Sequence, residues 1–283
     1  MTDGTDGTDE TAIDEAAANE TVTPVPRVTP VPAYNPAGAR PGLNPADESQ
    51  RVGHAVRSYK IAISVGALAQ AWARQEQAPA GATVVADREV SPLGRLSTMW
   101  MVPAEQTLAM AVIVRPPLGV EDADAVWIIG TLAAAEAAEE IAGGATRCWW
   151  PDTVVDEKDH PVGTVKAEIQ LGPGKVRSAV VTIRLDLGGL GLGADRREAL
   201  VDAILTSLDR HLATLSEGTA SVAAAFEARC SLLGRRIKVR LLPKGETRGI
   251  PRGVDRMGRL EIESSSGMVE RLTIDVLRSY EVV

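Results

Sequence analysis

The stretch from residue 164 to residue 187 most constrains the fold, because its pattern is that of an antiparallel hairpin. In TVKAEIQL, which begins at Thr164, apolar and polar residues alternate over the whole segment, the period of a strand with one buried face. GPGK then supplies turn residues, and SAVVTIRLDL returns along the first strand. Two such strands need further strands beside them and other elements to cover their apolar face.

Further strands and helices are predicted around this hairpin. YKIAISV, ATVVA and LAMAVIVR have the composition of buried strands, and GALAQAWARQEQ places Leu68 and Trp72 on one face of a helix. The Ala-rich stretch from residue 122 to residue 144 predicts a long helix that ends at its glycines. The fold class is therefore α+β, with a mixed β-sheet and flanking helices on one side over residues 51–228. Another helix is marked by apolar residues at helical spacing: Leu200, Ile204, Leu208, Leu212 and Leu215.

The last part of the chain differs from the rest by its shorter strands and closer turns. After Leu232, alternating segments follow one another between turns rich in Gly and Ser. This pattern is typical of a small β-barrel. We therefore predict a separate SH3-like β-barrel over residues 229–283.

The first 50 residues have a different composition. They contain nine acidic residues against only Arg27 and Arg40, and seven of the 17 prolines lie between Pro24 and Pro45. Low hydrophobicity with clustered charge cannot offset chain entropy, and the prolines favour an extended backbone. We predict a disordered acidic and Pro-rich tail over residues 1–50. A PxxP-like role in docking a partner is an alternative for the proline stretch.

Charge and composition exclude several classes of function. The formal net charge is −8, but residues 226–283 have twelve Lys and Arg against eight acidic residues, a balance of +4. No long basic stripe indicates nucleic-acid binding, so an ordinary solvated surface or an acidic partner accounts for this excess. No apolar run approaches the roughly 20 residues of a membrane span, and the acidic N-terminus is not that of a signal peptide. Cys148 and Cys230 give no disulfide framework and no metal-ligand spacing, so we expect a cytoplasmic protein without a metal site.

Over roughly residues 56–283, the order of elements resembles that of the biotin–protein ligases, within the biotin/lipoate ligase family. Four stretches carry the resemblance: VIVRPPL before the Ala-rich helix, CWWPDTVV, LDRHLATLSEG with FEARCSLLGRRIKV, and GRLEIESSSGMVERLTIDVL. The resemblance implies the family's catalytic fold followed by its C-terminal barrel. It also implies a chemistry that joins biotin to ATP, releases pyrophosphate and passes biotinyl to a lysine of a carrier domain.

The family holds the phosphates with a loop rich in glycine and arginine. Glycine lets backbone N–H groups converge on a ligand, and arginine supplies forked, charge-assisted hydrogen bonds. In the corresponding loop, residues 85–100, the resemblance implies that Gly94, Arg95 and Trp100 are kept. The remaining positions have lost the pattern: Pro92, Leu93, Ser97 and Thr98 stand where the family has glycine or arginine, and Glu89 stands where it has a glutamine that lines the biotin pocket.

Other family positions are also partly lost. Of a Ser-Thr-Asn motif only Ser64 remains, and His160 stands at the position of the family's catalytic lysine. Lys166 is a candidate replacement, although a solvated strand lysine and a simple loop histidine are the alternatives for these two residues. If the chain is active, the resemblance makes Arg95, Lys166 and His160 its catalytic residues. The ligand-binding residues it implies are Ser64, Glu89, Gly94, Trp100, Trp150, Asp152 and Gly163.

Two functions remain open at this stage. The first is a catalytically impaired homologue, a pseudoenzyme that acts as a binding or assembly module for a biotin-carrier or carboxylase partner and that can be a homodimer. The second is an active, diverged ligase that uses biotin, ATP and Mg²⁺. The family's DNA-binding helix-turn-helix is absent, so no DNA binding is expected. We further predict that Arg184 and Asp186 pair with Lys166 and Glu168 across the hairpin and close the cleft; an ordinary solvated sheet face is the alternative.

Overall fold

The computed structural model describes residues 45–283. Most of the predicted disordered tail therefore lies outside the described residues. The last residues of the predicted tail form a strand instead. This strand, β1 (Asp47–Arg51), pairs antiparallel with β2 (His54–Ala62) across a turn at Val52 and Gly53, which both have positive φ. The charged sequence of β1 does not have the apolar pattern of a strand, because ion pairs rather than an apolar face fix its side chains. For example, Arg57 of β2 binds Glu48 of β1.

One eight-stranded mixed sheet forms the centre of the protein. Its strand order is β1-β2-β3-β4-β8-β7-β6-β5, and β2 and β3 are its parallel neighbours, while the other neighbours pair antiparallel. The predicted mixed sheet and the β7–β8 hairpin are thus confirmed. The strands after β2 are β3 (Thr83–Glu89), β4 (Thr107–Val114), β5 (Arg147–Trp149), β6 (Thr153–Val155), β7 (Pro161–Gly172) and β8 (Lys175–Asp186).

Helices cover both faces of this sheet rather than one. Strand β4 is buried along its whole length, so each face of the strand needs a cover. Its residues Ala109, Ala111 and Ile113 pack with α1, whereas Leu108 and Met110 pack with α2. The expectation of helices on one side was wrong for this reason. The helices are α1 (Val65–Gln75), α2 (Ala125–Ala142), α3 (Arg197–Thr214) and α4 (Ala220–Arg229).

Small residues let α2 pack closely against the sheet. Its buried side chains are dominated by alanine, and Gly130 faces β7 and β8. A Cβ atom at Gly130 would lie 2.6 Å from Val181 Cγ1 and 3.0 Å from Val165 Cγ1. The central helix therefore leaves no room for a larger residue there, which fixes its distance from the hairpin that bears the candidate site.

The C-terminal strands form a second, five-stranded antiparallel sheet. The predicted strand-rich end of the chain is confirmed, while the closure of this sheet into an SH3-like barrel stays a prediction. Ile237 and Leu277 belong to the same hydrophobic cluster as α2, and the described residues, 45–283, lie in one compact unit. In the order β12-β11-β10-β9-β13, the strands are β9 (Ile237–Leu241), β10 (Glu246–Val254), β11 (Leu260–Glu263), β12 (Val269–Leu272) and β13 (Leu277–Val282). Among the described residues, no helix is long and apolar enough to cross a membrane.

Candidate functional site

An open cleft of about 370 Å³ lies where the loop after β3 meets the main sheet and the C-terminal sheet. The loop contributes Gly94, Arg95 and Trp100, and the β6–β7 region contributes Asp152 and Gly163. Five residues that the sequence singled out are therefore brought together, although they come from distant parts of the chain. The remaining lining residues are Thr98, Met99, Trp149, Thr153, Pro161, Thr164, Arg278, Ser279 and Tyr280.

Arg95 is the cation that the loop contributes to this cleft, and it is already bound within the protein. Its Nε donates to Asp152 Oδ2 at 2.7 Å, and its Nη1 donates to the backbone carbonyl of Leu277 at 2.5 Å. The side chains of Arg95 and Asp152 are mostly buried, with 15% and 11% of their surface exposed, respectively. The positive charge is neutralised by the carboxylate, and the guanidinium also fastens the loop to the start of β13.

Four donors of the loop backbone are satisfied within the loop itself. The N–H of Gly94 donates to the carbonyl of Thr98, and that of Trp100 donates to Pro92, both within the loop. The Leu93 and Thr98 N–H groups likewise donate to loop carbonyls. Between these bonds the chain turns through Leu96 and Ser97, which have φ of 52° and 59°. These donors point into the loop and do not converge on a ligand.

Beneath the loop, Glu89 and Arg184 form a buried, forked ion pair. Arg184 Nε donates to Glu89 Oε2 at 2.7 Å, and Nη2 donates to Oε1 at 2.9 Å. The side chains are 1% and 3% exposed, in the order Arg184 and Glu89. Arg184 Nη1 also donates to the Leu93 carbonyl at 3.2 Å, and the Val65 N–H at the start of α1 donates to Glu89 at 3.0 Å. One ion pair thus joins β3, β8, α1 and the loop.

A much smaller cavity adjoins this ion pair. It measures about 40 Å³, and its walls include Glu89, Pro92 and Trp100. The Trp100 indole is fixed because its Nε1 donates to Thr107 Oγ1 at 3.0 Å. The space next to Glu89 is therefore large enough for a few water molecules and too small for a drug-sized ligand.

The C-terminal sheet supplies the part of the cleft that the sequence did not predict. Tyr280 packs edge-on against Trp149, with ring centroids 6.1 Å apart. Burial, and then the nearby Asp152 carboxylate, raise the pKa of the Tyr280 hydroxyl well above its usual value, so this hydroxyl stays protonated and can donate. Arg278, Ser279 and Tyr280 are more than 110 positions beyond Gly163 in the chain. No spacing in the sequence signals that β13 lies beside the loop.

Comparison of the sequence with known proteins gives two related matches. The chain is 23% identical over 218 residues to the bifunctional ligase/repressor BirA of Bacillus subtilis, a span of 70% of this chain and 66% of that protein. It is 22% identical over 218 residues to BirA of Bacillus spizizenii, with the same coverage. The matched part is just under two thirds of the length of these relatives. No family model matches the sequence.

The fold gives the clearer match. The biotin protein ligase from Aquifex aeolicus in complex with biotin and ATP superposes with a TM-score of 0.64 at 20% identity, covering 81% of this chain and 99% of that one. The chain therefore has the fold of a biotin protein ligase. A biotin protein ligase-like protein of unknown function from Silicibacter has a TM-score of 0.61 at 14% identity, covering 80% of this chain and 96% of the other.

Two predicted catalytic residues of this ligase-like chain lie apart from the cleft lining. His160 is exposed, with its Nδ1 3.2 Å from Asp156 Oδ2. Lys166 Nζ donates to Glu168 Oε1 at 2.9 Å on the same strand. Arg95 is thus the member of the predicted catalytic set that lines the cleft, and it is paired.

Two of the predicted ligand-binding residues make hydrogen bonds that stabilise the ligase-like fold. Trp150 is fully buried, and its Nε1 donates to the Gly258 carbonyl at 2.8 Å, which ties the main sheet to the C-terminal sheet. Ser64 caps α1, because its Oγ accepts the Ala67 N–H at 3.3 Å. Trp150 therefore lies in the core, outside the cleft lining, and its role in ligand binding stays a prediction.

The predicted ion pairs across the hairpin were wrong in their partners. The register sets Lys166 opposite Thr182 and Arg184 opposite Thr164, so charges do not face each other between β7 and β8. Asp186 accepts the Gly189 N–H at 2.9 Å instead. Arg184 pairs instead with Glu89, which comes from β3.

Proposed function

We propose that this biotin protein ligase-like chain is catalytically impaired and acts as a binding or assembly module for a biotin-carrier domain or a carboxylase that contains one. The observation that carries the proposal is the state of Arg95. Its guanidinium is bonded to Asp152 and to the Leu277 carbonyl, so Arg95 has no free charge to offer a phosphate. An adenylate forms between two anions, and its transition state needs such a charge.

The size of the expected loss supports this proposal. One preorganised donor to a transition state is commonly worth about 3–4 kcal/mol. Here Pro92 has no N–H, Gly94 donates to Thr98, and Leu93 and Thr98 stand where the family has arginine. Loss of even two such contacts lowers a rate by roughly four to six powers of ten.

The surroundings of Glu89 support the same conclusion for biotin. The cavity that Glu89 and Trp100 line is about 40 Å³, whereas pockets for ligands of this size measure roughly 300–1,000 Å³. The Glu89 carboxylate already accepts hydrogen bonds from Arg184 and from the Val65 N–H. The ion pair therefore leaves no room for the bicyclic ring of biotin, and the Glu89 carboxylate disfavours a nearby carboxylate of biotin.

A binding role is compatible with what remains open. The cleft of about 370 Å³ presents threonine and serine hydroxyls, Arg278 and two tryptophans at the surface. Apolar side chains of the neighbouring loop are also exposed, with Leu96, Met99 and Met101 at 52%, 50% and 82%. These features support contact with another macromolecule, for which the relatives' activity as ligases suggests a carrier domain.

The test uses the full chain, biotin, ATP labelled in its terminal phosphates, Mg²⁺ and a biotin-carrier domain. Release of labelled pyrophosphate is expected to stay at background, while calorimetry detects binding of the carrier domain. A carrier with its acceptor lysine replaced by arginine is the matched control, because an assembly module should bind it as well. Pyrophosphate release at the rate of a working ligase would overturn the proposal.

An active, diverged ligase is the second candidate, favoured by the convergence of Gly94, Arg95, Trp100, Asp152 and Gly163 on one cleft. In this case Arg95 must exchange Asp152 for a phosphate when substrate arrives. Turnover that disappears in Arg95→Ala and persists in Arg252→Ala, an exposed arginine of the C-terminal sheet, would establish this alternative. Loss of turnover in both variants would not distinguish a catalytic arginine, so folding of each is checked by circular dichroism.

A further inference from the structure

The two cysteines lie side by side, although they are far apart in the sequence. Cys148 is the middle residue of β5, an edge strand of the eight-stranded sheet, and Cys230 directly follows α4. The two residues are partners in a parallel β-bridge. Paired backbones of this kind are about 4.7–4.9 Å apart and direct paired side chains to the same face. The Cα spacing therefore falls within the roughly 4.4–6.8 Å that a disulfide bond spans.

Hydrogen bonds hold these two segments together in the reduced protein. The Ser231 N–H donates to the Cys148 carbonyl at 3.1 Å. Next to it, Trp149 Nε1 donates to Ser231 Oγ at 2.9 Å, and the same hydroxyl donates to Asp159 Oδ1 at 2.7 Å. Because the backbones are fixed in this way, each thiol is held near the other at a high effective concentration.

Burial of the thiols affects the rate of their oxidation rather than its equilibrium. Cys148 is fully buried, with its sulfur 3.9 Å from the Thr131 carbonyl oxygen, whereas Cys230 is 7% exposed. Burial raises the pKa of both thiols, so the reactive thiolate is scarce and exchange with a reagent in solution is slow. Cys230 is the more accessible of the two and the one that an external reagent reaches first.

We propose that Cys148 and Cys230 form a reversible disulfide that joins β5 to the segment after α4. The bond forms by exchange with a small disulfide of the glutathione type. The Cys230 thiolate attacks one sulfur of this reagent and releases one small thiol. The Cys148 thiolate then attacks the Cys230 sulfur of the mixed disulfide and releases the second. The two protein thiols are oxidised, and the reagent is reduced to two thiols that carry the two protons.

The disulfide lies behind one wall of the cleft. Trp149, the neighbour of Cys148, lines the cleft and packs against Tyr280. A covalent bond between the two segments would fix Trp149 and Ser231 relative to each other, so the shape of this wall would depend on the thiol redox state. The inference does not depend on the proposed function, since it concerns a bond outside the cleft lining.

The first experiment measures the redox equilibrium of the full chain. Samples are refolded from urea in buffers of reduced and oxidised glutathione, so that burial does not block the exchange, and parallel samples are kept unfolded in urea. Acid quenching, alkylation and intact mass then give the oxidised fraction. The equilibrium constant for the disulfide is expected to be about 30-fold or more larger in the folded chain, because the folded state and the bond favour each other equally. An equal or smaller constant in the folded chain would overturn the proposal.

The second experiment compares melting temperatures of the oxidised and reduced chain. Oxidation is expected to raise the melting temperature of the wild type by roughly 5–15 °C, and dithiothreitol should reverse the change. Cys148→Ala and Cys230→Ala are the matched controls, since each keeps one thiol, can form a glutathione adduct and cannot form the bond; neither should gain stability. A wild type that forms disulfides between chains, or that melts at the same or a lower temperature when oxidised, would reject the inference and leave the proposed function standing.

Discussion

Leu96 and Ser97 show at the scale of single residues how the loop turns without a glycine at either position. Both have left-handed backbone angles, with φ of 52° and 59°. An L-residue in this region is strained by roughly 1–2 kcal/mol, whereas glycine adopts it freely. The loop nevertheless closes, because Arg95 and the internal hydrogen bonds hold it on both sides.

Ser97→Gly is expected to raise the free energy of unfolding by up to about 1 kcal/mol, since it removes the strain but adds chain entropy to the unfolded state. Urea denaturation followed by tryptophan fluorescence measures the change. Thr98→Gly is the control in the same loop, because Thr98 has φ of −64° and gains no relief from glycine. The control should lower stability; a gain of equal size in both variants would show that strain at Ser97 is not the cause.

A polar cluster joins three elements, the helices α2, α3 and α4. Glu136 of α2 accepts from His211 Nε2 at 2.9 Å, from Arg210 Nη2 at 2.5 Å and from the Ser207 hydroxyl, all on α3. Arg229 of α4 binds Glu139 one turn further along α2. Burial alone would raise the pKa of Glu136, but the hydrogen bonds from His211 and Ser207 outweigh it and lower this pKa from 4.5 to about 2.

This cluster predicts acid sensitivity. Because the pKa of Glu136 is lower in the folded than in the unfolded state, its contribution is present above pH 4.5 and is lost as pH falls towards 2. After allowance for screening, the wild type should lose about 1–2 kcal/mol more than Glu136→Gln over this range. Urea denaturation at a series of pH values measures it. Glu140→Gln, an exposed position on the same helix, should follow the wild-type profile; a parallel profile for Glu136→Gln would contradict the assignment.

At the scale of the whole molecule, the two sheets share one hydrophobic core. Ile237, Val239 and Leu277 of the C-terminal sheet cluster with residues of α2 and β8, and Trp150 bonds to Gly258 across the junction. The two cysteines lie at this junction, with Cys148 in β5 and Cys230 directly after α4, and the Ser231 N–H donates to the Cys148 carbonyl at 3.1 Å. Separation of the sheets would therefore expose both thiols.

The thiols report whether the two sheets unfold together. Burial raises the pKa of both, that of Cys230 to about 11, so the reactive thiolate is scarce in the folded protein. Ellman's reagent should react slowly with the native chain and rapidly with both cysteines through the same urea transition that changes tryptophan fluorescence. Cys148→Ala and Cys230→Ala allow each thiol to be followed singly. Reaction of Cys230 at clearly lower urea than Cys148 would show that the C-terminal sheet detaches first.

The elements that the sequence predicted are those with a periodic apolar pattern. The β7–β8 hairpin was found from strict alternation, and α1 and α2 from apolar spacing and terminal glycines. Strand β1 was missed because its charged residues are stabilised by ion pairs with distant side chains, such as Arg51 with Asp202. The placement of helices on both faces follows from the complete burial of β4, which pattern alone does not reveal.

The candidate site was predictable only in part, since its contacts join distant segments. The resemblance of the loop and of CWWPDTVV was enough to suggest Arg95 and Asp152, which do line one cleft. Glu89 and Arg184 are 95 positions apart, and the pattern predicted a partner for Arg184 only across the hairpin. The available signal was that Glu89 places a carboxylate where the family has a neutral glutamine. The burial of Trp150 was not predictable, because an aromatic residue in a motif does not show whether it faces a ligand or the core.

The buried Glu89–Arg184 pair also limits the evolutionary paths open to this chain. Removing either partner alone leaves an uncompensated buried charge, which costs about 3–5 kcal/mol, a large part of the roughly 5–15 kcal/mol that keeps a domain folded. Replacement of the pair by neutral residues, one at a time, would therefore pass through an unstable single variant. The two positions constrain each other during evolution: a change at either one is tolerated far better when the other changes with it.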